Sequence, residues 1–459
     1  MAAPDKTSRS PRYTLGVLLA IAIVNAFDRN IAVVGNELIR AEWSLSDAQL
    51  GAILGVFLAG YALAGIPLGR AADRFDRRRI IAMGVSTWSV LTGLGALAGS
   101  YAQFLLTRVG VGIAEACYFP AAISLIGDEF APTRRAKATS MVMAGSPIGV
   151  ALSFVLGGAI TKKLGWRPAF LIAILPGLLC AIAAWMIREP KRGAAEECDV
   201  GERRREGSST RILLGIPTMW ITVLLTSLFF FCVSSFATFM GPLLMRYHGL
   251  PVDRAGARLG LMVGVAPVFG LAIGGVVADR IRKRRVDAPL LVSGVPMCAA
   301  APLFVAALQT GRDQVAVFVP LMALGLAAMF PIVALAQTAI QDVVEPSLRA
   351  SAIALYGFIT SVVGATGPVV VGAISDRLAQ QAAAAAGVAA TSQAALEPFR
   401  AQALHDALYV VPPVVLVMGI GVLSSLAVNR RDVTRLSDWM NRARSLPPSG
   451  GVESGAISA

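Results

Sequence analysis

The chain has 459 residues, 56% of them hydrophobic and 15% charged, and a formal net charge of +13. Apolar runs close to the ~20 residues needed to cross a bilayer exclude a soluble globular protein. The basic residues are dispersed between those runs and form no single face or stripe, which argues against a nucleic-acid partner.

The first 12 residues are polar and lack a charged-then-apolar signal with a small-residue cleavage site, so they are expected to be a cytoplasmic tail before a retained first span. Twelve spans are expected, near 13–35, 47–69, 79–99, 102–124, 138–161, 167–187, 213–245, 258–279, 288–309, 314–340, 350–375 and 405–428. Residues 188–212 carry seven basic and six acidic residues and almost nothing apolar, the composition of a solvated linker. This divides an all-α membrane protein into two six-helix bundles, 13–187 and 213–428. Residues 379–403, rich in Ala and Gln, read as an external loop with room for a short helix. In the tail, 429–459, one helical face holds Val433, Leu436, Trp439 and Met440 amid arginines, which predicts a helix lying on the membrane surface, then disorder from Pro447. With the N-terminus in the cytoplasm, 29 of the 41 Lys and Arg fall in cytoplasmic segments and 10 in external loops, so the positive-inside rule places both ends inside.

The two bundles share sequence devices. Gly69-x-x-x-Asp73-Arg74 after the second span recurs 206 residues later as Gly275-x-x-x-Asp279-Arg280 after the eighth, each followed by a basic cluster. Asp128 precedes Arg135 as Asp342 precedes Arg349, with Pro132-x-x-Arg135-Ala136 matching Pro346-x-x-Arg349-Ala350. Two matches at similar offsets indicate a duplicated, pseudo-symmetric fold.

Charge, by contrast, is not duplicated. Asp28 and Arg29 lie inside the first span and Arg108 and Glu115 inside the fourth, where each charge costs about 2.5 kcal/mol or more at the bilayer centre. Counting ~1.5 Å per residue from the external ends puts Asp28 and Arg108 at matched depth, about 10 and 9 Å, which predicts an Asp28–Arg108 pair. Glu115, two turns deeper, is expected to exchange partners with Arg29 or Arg108. A buried carboxylate whose cationic partner leaves takes up a proton, the chemical requirement for proton coupling; a static ion-paired lock between the first and fourth helices is the competing reading. The second bundle offers aromatics instead, with Phe230, Phe236, Phe330 and Tyr356 as candidates for an apolar cavity wall, among others that only pack. Gly145, Pro147 and Gly149 in the fifth span, and Gly367 and Pro368 in the eleventh, are candidate hinges, since proline removes a backbone hydrogen bond and glycine permits close approach. Five cysteines without CxxC spacing and the isolated His248 and His405 offer neither a disulfide framework nor a metal site. No catalytic constellation or nucleotide-binding loop is present, so neither an enzyme nor a cofactor is expected, with the proton as the coupling ion.

The duplicated six-span halves, the charged linker and the Gly-x-x-x-Asp-Arg signature resemble the major facilitator superfamily over essentially the whole chain. Asn25-Ala26-Phe27-Asp28-Arg29, Arg108-Val109-Gly110-Val111-Gly112-Ile113-Ala114-Glu115-Ala116 and Gly165-Trp166-Arg167-Pro168-Ala169-Phe170 are similar to the spinster lipid transporters, in a bacterial form. The anion and proton symporter branch also carries an Arg to Glu-Ala pattern in its fourth span. The superfamily resemblance implies gates at Gly69, Asp73, Arg74 and Arg77 with Asp128, and at Gly275, Asp279 and Arg280 with Asp342, where each signature Asp caps a helix of the opposite half. Where the superfamily usually has a glycine before the first basic cluster, this chain has Asp76. The expected function is transport of a lysolipid or sphingoid-type amphipath coupled to protons, by a monomer in a bacterial inner membrane, surrounded by membrane lipids. Organic-anion symport, multidrug/proton antiport and a non-translocating receptor or scaffold are the alternatives.

Overall fold

The computed structural model describes residues 11–130, 132–190, 213–285, 287–345, 348–388 and 392–445. The first ten residues, most of the expected linker (191–212, with Cys198) and the chain end from 446 lie outside these. Twelve long helices follow one another: α1 (Pro11–Trp43), α2 (Asp47–Arg74), α3 (Arg77–Ala96), α4 (Tyr101–Glu129), α5 (Lys137–Leu164), α6 (Trp166–Trp185), α7 (Pro217–Arg246), α8 (Val252–Arg282), α9 (Ala288–Leu308), α10 (Val315–Val343), α11 (Arg349–Ala385) and α12 (Gln393–Ser424). A thirteenth, α13 (Leu426–Ser445), continues from the last. Eleven of the twelve are long and apolar enough to cross a membrane. The other is α3, less apolar because it begins Arg77-Arg78-Arg79 and carries Ser86, Thr87, Ser89 and Thr92.

Short polar residues cut the apolar sequence into helices. Ser46 and Gln49 close a capping box at α2, and Ser100 caps α4 through Gln103 N. Asp76, the departure from the superfamily pattern, accepts from Arg79 N and caps α3. Gly165 turns the chain from α5 into α6 with φ +87°, a conformation open to glycine.

Several features differ from the sequence reading, among them the end of α1, at Trp43 and not near 35. The stretch 379–403 is mostly helical, extending α11 to Ala385 and starting α12 at Gln393. The α13 helix does not turn Val433 and Leu436 to lipid: both pack against the protein core. Asp432 of α13 accepts from the backbone N–H of Thr218 at the start of α7 (3.0 Å), and Arg430 pairs with Asp287 at 2.7 Å. The side chains of Trp439 and Met440 lie outside the described residues.

The face carrying the α1–α2, α5–α6, α7–α8 and α11–α12 connections is called distal here, and that carrying the α2–α3 and α8–α9 connections proximal. Contacts between the halves gather toward the distal face, where α2 lies on α11 and α5 on α8. Backbones touch at that seam: a Cβ on Gly51 would lie 2.3 Å from Pro368 O, and one on Gly256 would lie 2.6 Å from Phe154 O. At the crossing of α5 and α8, both helices widen into π-turns, Ser153–Gly157 and Gly260–Val265. Prolines at the seam leave carbonyls that neighbouring helices satisfy. Pro368 cannot bond Gly364 O, which instead accepts from Ser234 of α7 (2.6 Å), and Thr238 O, left free by Pro242, accepts from Asn36 of α1 across the halves (3.4 Å). Toward the proximal face, a Cβ on Gly69 or Gly275 would meet open space.

Candidate functional site

All four charges expected within spans are brought together between α1 and α4; Glu115 takes Arg29, one of its two expected partners, while the expected Asp28–Arg108 pair is not made. Arg29 of α1 donates to Glu115 Oε2 through Nε (3.2 Å) and Nη2 (2.8 Å). Asp28 and Arg108 form no ion pair. Asp28 and Arg108 do not lie at matched depth, because α1 runs to Trp43 and not 35. Arg29 is therefore fourteen residues from the distal end of its helix, as Glu115 is from the start of α4 at Tyr101, about 21 Å in each case.

Adjacent residues on α1 point about 100° apart, so Asp28 and Arg29 face different surroundings. Asp28 is fully buried, and neither carboxylate oxygen has a hydrogen bond among the described residues. Arg29 keeps 34% of its side chain exposed, while the Glu115 side chain is at 0%. The Arg29 guanidinium lies over Phe57 (5.0 Å) and Tyr61 (5.3 Å) of α2. Arg108 is buried between Phe104 and Phe170, 5.3 and 5.2 Å from the ring centres, with Nε and Nη2 lacking hydrogen-bond partners among the described residues. Arg29, Arg108 and Asn36 border a cavity of about 10 Å³, room for about one water.

Around the site, Trp166 and Arg167 hold the distal ends of three helices together. Trp166 Nε1 donates to Glu42 at 2.7 Å, and Arg167 donates to Glu42, to Ala96 O and to Ala98 O beyond the end of α3. These residues, part of the sequence similar to spinster transporters, support α1, α3 and α6 and do not touch the charged cluster directly.

The aromatics of the second half divide in two. Phe236 packs on Phe304 with centroids 5.0 Å apart and is buried in the core, so it is no cavity wall. Phe229 stacks edge-on between Phe230 (5.3 Å) and Phe330 (5.2 Å), and the latter two are half-buried. Tyr356 is buried with its hydroxyl lacking a hydrogen bond among the described residues. No described span of this half matches the buried charge cluster of α1 and α4.

The proximal signatures hold together within each half. Arg77 is buried and bonds Asp128, Glu189, Ser124 and Pro190 O, which joins α3 to α4 and to the chain after α6. Asp342 pairs with Arg282 at 2.6 Å and not with Arg280. Asp279, Arg280 and Arg74 are exposed; the Asp73 side chain lies outside the described residues. The expected cap of Asp279 on the opposite half is therefore not made. The hinge glycines of α5 are packing contacts in this structure: a Cβ on Gly145 would lie 2.9 Å from Leu19 O, and one on Gly149 would lie 2.1 Å from Ile23 O, both in α1. Gly367 meets Phe231 O of α7 in the same way, at 2.3 Å. The four described cysteines are free, and no group of residues able to hold a metal occurs among the described residues.

Against known families, residues 18–368 match the Major Facilitator Superfamily. The chain belongs to the major facilitator superfamily. Among curated proteins it is 32% identical to an MFS-type efflux pump of Mycolicibacterium smegmatis, over 79% of this chain and 84% of that one. It is 25% identical to the sphingosine-1-phosphate transporter of Danio rerio, over 96% of this chain and 89% of that one. Among solved structures, a bacterial homolog of the human lysosomal transporter spinster, inward-facing and unoccupied, superimposes with a TM-score of 0.83 at 26% identity, covering 93% of this chain and 99% of that one. The protein is thus a transporter of the spinster-like kind and not an enzyme.

Proposed function

We propose that the protein is a proton-coupled secondary transporter of an amphipathic, lipid-like molecule of lysolipid or sphingoid type, with the proximal face in the cytoplasm of a bacterium and the chain acting as a monomer in the inner membrane. The observation that carries the reading is the Arg29–Glu115 pair. Glu115 is wholly buried and held through one oxygen by a cation that itself reaches open space, so an anionic group arriving at Arg29 competes for that cation. A buried carboxylate that loses its partner is expensive and takes up a proton. Asp28, buried nearby, is a second proton acceptor. The half-buried Phe230 and Phe330 supply an apolar wall for a chain, and the likeness to spinster proteins supports an amphipath as cargo. Alternating access then follows from rocking of the halves about the seam.

The second reading, symport of an organic anion, has one specific support: buried Arg108 has two N–H groups lacking partners and adjoins Arg29 at the same small cavity. Proteoliposomes loaded with a labelled lysophospholipid or with a labelled sugar acid, under an imposed pH gradient, separate the two. Gradient-dependent lysolipid movement without sugar-acid movement is expected. Sugar-acid accumulation with no lipid flux would establish the anion reading instead.

A further inference from the structure

Gly-x-x-x-Asp-Arg occurs a third time in the chain, as Gly372-Ala373-Ile374-Ser375-Asp376-Arg377. This copy sits in α11 near the distal face, where no gate was expected, and it makes a cross-half contact of the kind that Asp279 of the second proximal copy does not make here. Asp376 accepts from the first backbone N–H groups of α2: Asp47 N to Oδ1 and Ala48 N to Oδ2, both at 2.9 Å. A carboxylate bridging two unpaired donors at a helix N-terminus meets both the hydrogen-bonding need and the positive end of the helix dipole. Gly372, one turn earlier, lets the helices close to that distance, since a Cβ there would lie 2.3 Å from Asp47 O. Ser375 donates to Asp47 Oδ2 at 2.7 Å.

Asp47 is in turn the centre of an ionic clamp. Its side chain is fully buried, and it pairs with Arg246 at the end of α7 (2.8 Å) and with Arg400 of α12 (3.5 Å). Arg246 also holds Glu37 of α1 at 2.8 Å, and Arg40 of α1 holds Glu397 of α12 at 2.5 Å. Every one of these pairs joins the first half to the second. Packing within a half requires none of them.

We propose that Gly372, Asp376 and Asp47, with Arg246 and Arg400, form a distal latch: a third working copy of the gate signature, which holds the distal side shut and is released each time the transporter opens there. The proposal concerns the conformational cycle and is independent of which cargo or ion is carried. Because the latch exists only when the distal side is closed, weakening it shifts the population toward the distal-open state; the one ion pair that Asp376 makes inside the second bundle is with Arg400 of α12, at 3.4 Å.

The test uses full-length protein in nanodiscs, with Cys180, Cys198 and Cys298 replaced by Ser and spin labels on two separate pairs of introduced cysteines. One pair, Ala41→Cys with Gln380→Cys, spans the distal seam, and the other, Arg79→Cys with Lys283→Cys, spans the proximal side; all four native positions are exposed. Asp376→Asn removes the charge and half of the cap, and Gly372→Ala forces α2 from α11 by an independent route. Each is expected to raise the ratio of distal-open to distal-closed molecules about tenfold, the effect of losing a strong cap. The distal distance lengthens and the proximal distance shortens together. Unchanged distributions in both folded variants would overturn the latch. So would a longer distal distance with no proximal change, which is local fraying and not rocking. Should Gly372→Ala not be recovered as folded protein, the isosteric Asp376→Asn alone decides between these outcomes.

Discussion

Removal of Arg29 examines the charged cluster most sharply, because its partner has nowhere to go. In Arg29→Met, Glu115 remains fully buried, one oxygen already lacks a hydrogen bond among the described residues, and the other loses both donors. Stranding one member of a buried pair costs about 3–5 kcal/mol. The lower end applies, about 3 kcal/mol, because Arg29 keeps a third of its side chain exposed and water can enter where it stood. In the double variant Arg29→Met with Glu115→Gln the stranded charge is gone, and most of that loss should return. A thermal unfolding series of wild type, both single variants and the double variant in one detergent completes a double-mutant cycle. The expected result is a double variant more stable than Arg29→Met, with a coupling of about 2–3 kcal/mol. Additive losses, with the double variant below either single one, would show that the pair is not the unit described here and that Glu115 is stabilised by something other than Arg29.

Other expectations follow from particular contacts. Ser234→Ala leaves Gly364 O, freed by Pro368, without a donor in the interior, and should lower stability by about 1–2 kcal/mol, measured by thermal unfolding against a neutral control such as Thr366→Ala, whose hydroxyl bonds only its own helix and is exposed. Gly112→Ala places a Cβ 2.2 Å from Phe57 O, so α2 and α4 must separate beside the charged site; folded yield should fall more than for Gly65→Ala, which meets open space. Asp287, outside the spans, is opposed by burial, but hydrogen bonds from Arg285 and Arg430 outweigh it and hold the carboxyl below its ordinary value. A depressed carboxyl contributes stability above its unfolded value, near 4, that is lost as the pH falls through the folded value. Docking of α13, followed by protease sensitivity of the tail, should therefore weaken on acidification below about pH 4 in wild type and be weak and pH-independent in Asp287→Asn.

The fold was legible because it depends on composition and repetition: twelve apolar runs, a charged linker and two signatures at similar offsets. That the four intramembrane charges cluster was also legible, since few other neighbours lower their cost. Of their pairing, only Glu115 with Arg29 was among the expectations; the rest was not legible. It turned on where α1 ends, and residues 36–43 (Asn36, Glu37, Leu38, Ile39, Arg40, Ala41, Glu42, Trp43) look like a loop until Arg40, Glu37 and Glu42 find partners on α12, α7 and α6 respectively. Tertiary ion pairs thus bury a helix end that its polarity disguises. The same blindness hid the distal latch: Gly372-x-x-x-Asp376-Arg377 lies in an Ala-rich stretch without a basic cluster, so only the close approach of α2 marks it as a gate. The aromatics of α7 were legible as a group but not singly, because side chains at one to seven residues' separation on one helix face both the core, as Phe236 does, and the half-open side, as Phe230 does.

The coupling of cargo to protons at Glu115 and Asp28 is tested most directly by recording lysolipid efflux and lumenal pH together in the same proteoliposomes, for wild type, Asp28→Asn and Glu115→Gln. The account predicts lipid movement accompanied by opposite proton movement in wild type, and in Glu115→Gln loss of the proton signal with retained lysolipid binding and slow, gradient-independent lipid exchange. Proton movement and gradient-driven lipid flux that persist unchanged in both variants would contradict it.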